Sequence, residues 1–298
     1  GRVCGSPEMR FERRLPATGY LDAGNGFGHL AGYTAMRHAV EMAEEVGMGA
    51  VAVGRSSHFG AAGCYALAAA ERGLIGLALC NSDPFVLLHG GRHPFHGTNP
   101  IAFAAPVADS PPYLLDMATS SIPWNRVQQY GAIGRELPDQ VAADGEGRVT
   151  RTPAEVAALL PLGGADFGFK GAGLGGMVEV LSSTLAGMAN GFRLFPMGGP
   201  DMSTPRGVGH FFLALKPDAF APGDAYPARM RDYLDDLRAQ PGRGEARVLA
   251  PGDREWTCQA HRDAEGIPLD SANQAAYDEL AERLDVAPLQ RLRGAGQR

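Results

Sequence analysis

Lysine is nearly absent from this 298-residue sequence: among 27 lysines and arginines, only Lys170 and Lys216 are lysine. The formal net charge of −6 provides no basic field that would attract a nucleic-acid backbone. No apolar run approaches the ~20 residues that span a bilayer, and the first residues contain no apolar signal core. We therefore expect a globular, cytoplasmic protein that binds neither nucleic acid nor membrane.

Cysteine is scarce as well. The four cysteines are Cys4, Cys64, Cys80 and Cys258. They form no C-x-x-C pair, so neither a zinc or redox motif nor a dense disulfide framework is indicated, and a reducing compartment fits best. Three histidines cluster in the stretch "HGGRHPFHGTNP", at His89, His93 and His96. Glycine and proline interrupt this stretch, and it has no carboxylate or cysteine at ligand spacing, so we expect no metal there.

The common nucleotide fingerprints are also missing. The sequence has no P-loop, and no G-x-G-x-x-G follows a strand and opens a helix. Lys170 nevertheless lies in the glycine-flanked stretch "GFKGAG", just before a predicted helix. Backbone N–H groups, the positive helix end and the ammonium would favour an anion there. The alternative is a glycine-rich helix start that serves close packing alone.

What is present is a regular pattern of helices and strands. Apolar spacing predicts, in order, a helix at 34–47, a strand at 49–54, a helix at 62–71 and a strand at 74–80. A mainly β central part follows, with strands at 97–106 and 112–121, a turn at 144–148 and a short helix near 153–160. A glycine-rich approach to a helix at 161–188, a strand at 210–220, and helices at 227–238 and 271–284 complete the chain.

His58 is the first candidate for catalysis. It follows the predicted strand "GAVAVG", at the carboxyl end where alternating folds place ligands, and small residues around it leave room for one. An imidazole exchanges a proton near neutral pH, so the functional interpretation is that His58 takes part in acid–base catalysis. A structural or merely exposed histidine is the alternative.

Asp116 is the second candidate, because it interrupts the apolar strand "YLLDMATSS". A carboxylate in that position requires partners if it is buried. It either serves a site or accepts N–H bonds from the following "ATSS" turn. Thr98 and Asn99 of "GTNP" are explained equally well by closure of a tight turn.

Several longer stretches together resemble one known family. These are "DAGNGFG", "SSHFGAAGCYALAAAERGLIG", "GTNPIAFAAP", "LLDMATSS", "LPDQVAADGEGRVTRTP", "FKGAGLGGMVEVLSSTLAG" and "PGDRE", which follow the order and spacing of the malate/L-lactate dehydrogenase family of the second, non-Rossmann type. The resemblance runs from about residue 15 to 290. It implies a mixed α/β fold with its own NAD(P) site, a largely β cofactor domain at 75–209, and a helix-rich substrate and dimerisation domain from 1–74 and 210–298.

The resemblance also implies roles for individual residues. His58 falls on the histidine described in some members as the proton acceptor, and Asp116 would orient an imidazole or stabilise its cation. The cofactor would be NAD(P), with a slight preference for NADP because Arg254 could meet a 2′-phosphate. The implied cofactor contacts are Ser82, Thr98, Asp116, Met117, Ala118, Lys170, Gly252, Asp253 and Arg254. A homodimer and a small carboxylic-acid substrate are implied as partners.

Some points stay open at this stage. The family carries a Ser-His-Gly segment that would precede Gly1, with an arginine nearby, and we expect it ahead of the present sequence. Arg55 and Arg126 are weak candidates for the arginine that binds a substrate carboxylate. The expected reaction is hydride transfer to or from C2 of a small 2-oxo or 2-hydroxy acid. The alternatives are reduction of a cyclic 2-imino acid of the piperideine or pyrroline type, or a catalytically weak homologue that acts as a binding protein.

Overall fold

The structure is a computed structural model that describes residues 2–220 and 225–289. Its described strands are β1 (Arg10–Leu15), β2 (Thr18–Asp22), β3 (Met48–Ser56), β4 (Ile75–Cys80), β5 (Val86–Leu87), β6 (Pro94–His96), β7 (Ile101–Ala105), β8 (Tyr113–Met117), β9 (Ala142–Ala143), β10 (Ala158–Leu159) and β11 (Val208–Leu215). Its described helices are α1 (Gly28–Val46), α2 (Gly63–Ala70), α3 (Trp124–Ala132), α4 (Gly164–Phe167), α5 (Phe169–Glu179), α6 (Tyr226–Arg238), α7 (Asp253–Glu265) and α8 (Ser271–Leu284). A π-helical turn, Val180–Thr184, continues α5.

Seven strands form the main sheet, in the order β1-β2-β3-β11-β4-β7-β8. Only β2 and β3 run parallel as neighbours, and the other neighbouring pairs are antiparallel. Because β11 separates β3 from β4 and β7 separates β4 from β8, the strands β3, β4 and β8 all end on one side. We call this side the site end of the sheet. The segments that lead into β7 and β11 begin at the same end.

Both faces of this sheet are covered, which explains the apolar character of its strands. Along β11, alternate residues point to opposite faces. His210 and Phe212 are fully buried on the face that α1 and α2 cover, where Phe212 meets Tyr65 of α2. Phe211 faces the other way and packs with Leu79 and Val178 under α5.

A second, four-stranded sheet has the order β6-β5-β10-β9 and carries its own apolar cluster. The cluster contains Val86, Ile122, Val127, Leu137, Val141, Ala142 and Leu159. Phe85 stacks on Trp124 of α3 at its margin, with the ring centroids 4.9 Å apart. This sheet lies in the central part for which mainly β structure was expected.

The chain divides into two compact units, residues 1–235 and 236–298. Within the described part of the second unit, α8 is capped by Asp270, whose side chain accepts the Asn273 N–H at 2.8 Å. None of the described helices is long and apolar enough to cross a membrane.

Most predicted elements are present, but two predictions need correction and some helices were not predicted. The short helix near 153–160 was wrong: Pro153–Glu155 form a single 3₁₀ turn, and Ala158–Leu159 are strand β10. The helices α3 and α7 were missed. The first helix begins at Gly28, six residues before the expected start, and ends as predicted at Gly47, which has the left-handed φ of 90°.

Candidate active site

His58 lies in the loop that leaves β3 at the site end, and the start of α1 holds this loop in place. The Ser57 hydroxyl accepts the Gly28 N–H at 3.0 Å and donates to the Gly26 carbonyl at 2.9 Å. A Cβ atom on Gly28 would stand 2.5 Å from the His58 carbonyl oxygen. Only glycine permits this close approach, so the sequence "GNGFGH" fixes the backbone that carries His58.

A backbone contact determines which neutral tautomer the His58 ring adopts. Its Nδ1 accepts the Gly60 backbone N–H at 3.1 Å, so Nδ1 is unprotonated and the neutral ring carries its proton on Nε2. Partial loss of water, and then the neighbouring His29 and Arg206, lower the pKa of His58, while Asp83 opposes them. The Gly60 contact and the lowered pKa both favour a neutral imidazole that presents an N–H donor at Nε2.

Behind His58, a second histidine is buried completely. His210 of β11 makes a 2.7 Å hydrogen bond through Nε2 to the Ser56 hydroxyl and stacks on Phe59 with the ring centroids 4.7 Å apart. Burial, with a smaller contribution from His58, lowers the pKa of His210 to about 3. His210 is therefore a neutral part of the core that supports the loop, and the sequence analysis did not identify it.

A buried ion pair adjoins the same loop. Arg206, just before β11, contacts the Asp83 carboxylate at 2.6 Å, and both side chains are at most 10% exposed. Arg206 also donates to the Phe195 carbonyl, and Asp83 accepts the Met197 N–H. The pair fixes the segment between α5 and β11 against the end of β4.

Asp116 lies at the site end of β8, but it is exposed rather than buried. Its Oδ2 accepts the Gly63 N–H, the first amide of α2, at 2.9 Å. This donor is in a different element from the "ATSS" turn that was considered. The contact connects β8 to the loop of residues 58–63, so Asp116 and His58 belong to one region.

Four further predicted residues meet beside it. The Ser82 hydroxyl, after β4, lies 3.2 Å from the Thr98 hydroxyl, before β7. The Thr98 carbonyl accepts the Thr119 N–H at 2.9 Å, which places Met117 and Ala118 at the same end. Asn99 lies under this group, and its Oδ1 accepts the Ser82 N–H at 3.1 Å. The structure thus brings together Ser82, Thr98 and residues 116–118.

Lys170 is the second residue of α5 rather than a residue before it. The backbone amides around it are already used: the Gly171 N–H donates to Leu162 and the Ala172 N–H to Gly168. The expected cradle of free N–H groups is therefore absent at these two positions. The exposed ammonium lies over the Phe167 ring, 5.3 Å from its centroid, so the predicted anion site would depend on this side chain alone.

The last three predicted residues lie in the second unit. Gly252 precedes α7 with a φ of 99°, and Arg254 is exposed on that helix. The Asp253 carboxylate contacts Arg238 at 2.7 Å and accepts the Ala250 N–H at 2.8 Å. The hydrogen bond from Arg238 is the largest cause that lowers the pKa of Asp253. These contacts show that Asp253 stabilises the turn that precedes α7.

Glu179 was missed by the sequence analysis. It ends α5, is 5% exposed, and accepts hydrogen bonds from the Asn99 amide at 3.1 Å and the Gly191 N–H at 3.2 Å. The signal was available, because a carboxylate in the apolar stretch "GGMVEVL" requires partners if it is buried, the same argument that was applied to Asp116. Asp83 and Arg206, also missed, have no comparable local pattern.

Comparison with known proteins gives the site its context. A family profile described as malate/L-lactate dehydrogenase matches residues 1–277. The chain belongs to the malate/L-lactate dehydrogenase family. It is 36% identical over 291 residues to a malate dehydrogenase of Pyrococcus abyssi, a match that covers 95% of this chain and 79% of that protein.

Other relatives and structures agree with this membership. A ureidoglycolate dehydrogenase (NAD(+)) of Escherichia coli K12 is 33% identical, covering 88% of this chain and 74% of that protein. The crystal structure of malate dehydrogenase from Entamoeba histolytica superposes with a TM-score of 0.90 at 30% identity, covering 97% of this chain and 83% of that one. The predicted family, mixed α/β fold and oxidoreductase class are confirmed.

The enzyme is therefore an oxidoreductase of small 2-hydroxy or imino acids, and its relatives imply a nicotinamide cofactor. The residues present fit such a group. Hydroxyls of Ser82 and Thr98 offer hydrogen bonds, and the exposed Lys170 offers a cation. His96, on β6 beside them, has a buried Nδ1 without a hydrogen-bond partner. Among the described residues, no group of histidine, cysteine, aspartate and glutamate could hold a metal.

Proposed function

We propose that this enzyme transfers a hydride reversibly between NAD(P) and C2 of a small 2-oxo or 2-hydroxy acid, and that His58 exchanges the proton. The observation that carries the proposal is the convergence at the site end of the sheet. The loop of His58 contacts Asp116 through Gly63, next to the paired hydroxyls of Ser82 and Thr98. A nicotinamide supplies or accepts the hydride when bound there.

His58 meets the substrate oxygen through Nε2. In its neutral form it donates the Nε2 proton as a hydrogen bond, which orients a carbonyl and stabilises charge that develops on oxygen. When His58 acts as the acid, Nδ1 is protonated as well, and the Gly60 contact is given up. Once the Nε2 proton has passed to oxygen, the ring remains with its proton on Nδ1.

Asp116 provides a fixed negative charge beside the reacting groups. Its Oδ2 is held by the Gly63 N–H, which aims the carboxylate at the start of α2. There it orients an imidazole or stabilises its cation. Either role favours the protonated imidazole, which is the acid that donates a proton when the substrate is reduced.

Residues around the strand ends would hold the cofactor. Ser82, Thr98 and residues 116–118 would contact the nicotinamide and its ribose, and Lys170 would contact a phosphate. By resemblance to the family, Gly252, Asp253 and Arg254 are proposed as further cofactor contacts, and Arg254 gives a slight preference for NADP. The cofactor part comprises residues 75–209, and the substrate and dimerisation part comprises 1–74 with 210–298.

A turnover screen tests the proposed reaction. Purified enzyme is mixed with NADH or NADPH and a panel of pyruvate, oxaloacetate and other 2-oxo acids, and the nicotinamide absorbance is followed. Cofactor oxidation that depends on one of these acids is expected. No turnover with any 2-oxo or imino acid would reject the proposal and favour a binding protein.

A second candidate substrate class is the cyclic 2-imino acids. It is favoured by two relatives, both named Delta(1)-pyrroline-2-carboxylate/Delta(1)-piperideine-2-carboxylate reductase, from Pseudomonas putida at 34% identity and Pseudomonas syringae at 35%. The same His58 would then exchange its proton with nitrogen instead of oxygen. Competition between piperideine-2-carboxylate and pyruvate in one assay separates the two classes.

We further propose that the enzyme is a cytoplasmic homodimer with the active site near the subunit boundary. Exposed apolar residues at the start of α1, Phe27, Leu30 and Tyr33, support an interface close to His58. A light-scattering mass equal to one chain at micromolar concentration would contradict the dimer.

A further inference from the structure

Glu179 is a buried carboxylate that lies behind the proposed cofactor contact Ser82. Both carboxylate oxygens face N–H donors: Asn99 and Gly191 donate to Oε1, and Gly191 also lies 3.2 Å from Oε2. The Ser183 hydroxyl is 2.9 Å from Oε2.

No basic side chain pairs with this carboxylate within residues 2–220 and 225–289. Burial lowers the pKa of His96, and Glu179 opposes that effect. Burial raises the pKa of the Cys80 thiol on β4, and Glu179 adds to that rise. Glu179 therefore lies near the ends of β4 and β6, the strands that precede Ser82 and Thr98.

Glu179 is also connected directly to the proposed cofactor contacts. Asn99 donates to Glu179 through Nδ2 and accepts the Ser82 N–H through Oδ1. A Cβ on Gly191 would lie 2.6 Å from the Ser82 carbonyl oxygen and 2.8 Å from Glu179 Oε1, so the carboxylate lies one residue layer behind Ser82. A cation bound at Ser82 would therefore face this carboxylate from the other side of Ser82.

The two redox forms of nicotinamide differ in charge: the oxidised ring is a cation and the reduced ring is neutral. We propose that Glu179 is a positioning residue that fixes Ser82 through Asn99 and favours binding of the oxidised cofactor over the reduced one. The inference rests on the proposed placement of the nicotinamide beside Ser82. It assigns to Glu179 an effect on cofactor redox preference beyond a structural role.

The test compares Glu179→Gln with a matched control, Ser183→Ala, which removes a contact to the same carboxylate without removing its charge. Dissociation constants of the oxidised and reduced cofactors are measured by calorimetry and by nicotinamide fluorescence, with no substrate present. In Glu179→Gln the affinity for the oxidised form should fall about fivefold or more relative to that for the reduced form, as expected for loss of one nearby charge in a partly buried site. Ser183→Ala should keep the wild-type ratio.

Equal weakening of both redox forms in Glu179→Gln would overturn the inference and leave Glu179 a structural residue. If that variant does not fold, Asn190→Lys replaces it, because Asn190 Nδ2 lies 3.5 Å from Glu179 Oε2 and an ammonium there would neutralise the charge. It should shift the ratio in the same direction, and an unchanged ratio overturns the inference.

Wild-type measurements separate this inference from the proposed function. Wild-type enzyme that binds neither NAD(H) nor NADP(H) would reject the proposed function together with this inference. Wild-type enzyme that binds cofactor and turns over 2-oxo acids, with the ratio unchanged in the variants, would reject this inference alone.

Discussion

His58 shows how a single backbone contact selects the chemistry of a side chain. The Gly60 N–H occupies Nδ1, so only Nε2 of the neutral ring is available as a donor to a ligand. The sequence placed this histidine correctly at a strand end, because strand and helix patterns flank it. It could not indicate which nitrogen is occupied, since that depends on the loop conformation.

We expect His58→Ala to lower kcat/KM for the best 2-oxo acid by about 100-fold or more, the scale of general acid–base catalysis. The loss arises because no other group of the 58–63 loop exchanges a proton at the substrate oxygen. His93→Ala, at an exposed histidine of the central region, serves as the control and should retain wild-type kinetics. Near-normal turnover of folded His58→Ala would leave His58 with a packing role.

Substitution of Lys170 tests whether this side chain binds the cofactor. We expect Lys170→Ala to raise the KM for the cofactor by about tenfold, with little effect on the KM for substrate, because a charge-assisted contact to phosphate is lost. Steady-state kinetics with each substrate varied in turn measures both constants. The chain's other lysine, Lys216, lies 3.5 Å from Asp218 and gives a charge-matched control in Lys216→Ala. A rise confined to the substrate KM would contradict the assignment.

At the scale of elements, buried polar contacts fix how the segments meet at the site end. The Asp83–Arg206 pair joins the end of β4 to the segment before β11, although the two residues are 123 positions apart. Local patterns predicted both strands. They could not predict this pairing, because it is formed only once β11 has inserted between β3 and β4.

Breaking this pair should be costly. Replacing Asp83 alone by leucine leaves a buried, uncompensated guanidinium, so the free energy of unfolding should fall by about 3 to 5 kcal/mol. Urea denaturation followed by circular dichroism measures the change. The double variant Asp83→Leu with Arg206→Leu should be less destabilised than Asp83→Leu, because no charge remains buried. If the double variant loses more free energy of unfolding than the two single variants lose together, this account is refuted.

At the scale of the whole molecule, pH acts on stability through the buried His210. Its pKa is lowered to about 3 in the folded protein, against an ordinary value near 6.5 in the unfolded chain. Below pH 6.5 the unfolded state therefore binds a proton that the folded state does not. Folding is favoured above pH 6.5, and the stability declines as the pH falls toward 3.

We expect His210 to contribute a loss of about 2 to 3 kcal/mol in the free energy of unfolding between pH 6.5 and 4.5. The variant His210→Gln should lack this contribution, so its stability should depend less steeply on pH across that window. His93→Gln, at an exposed position, should retain the wild-type slope. Urea titrations at several pH values give the slopes, and identical slopes in all three proteins would show that His210 does not remain neutral.

The sequence by itself determined the local structure and the family. Apolar periodicity gave α1, β3, α2 and β4 to within a few residues, apart from the start of α1, because each pattern depends on neighbours in the chain. It also selected His58 and Asp116 and grouped the motifs in their order. The tertiary structure decided the rest: that β11 returns to the middle of the sheet, that Ser82 and Thr98 meet, and that Glu179 lies behind them. These contacts join residues far apart in sequence, and no local pattern encodes which distant partner a buried polar group will find.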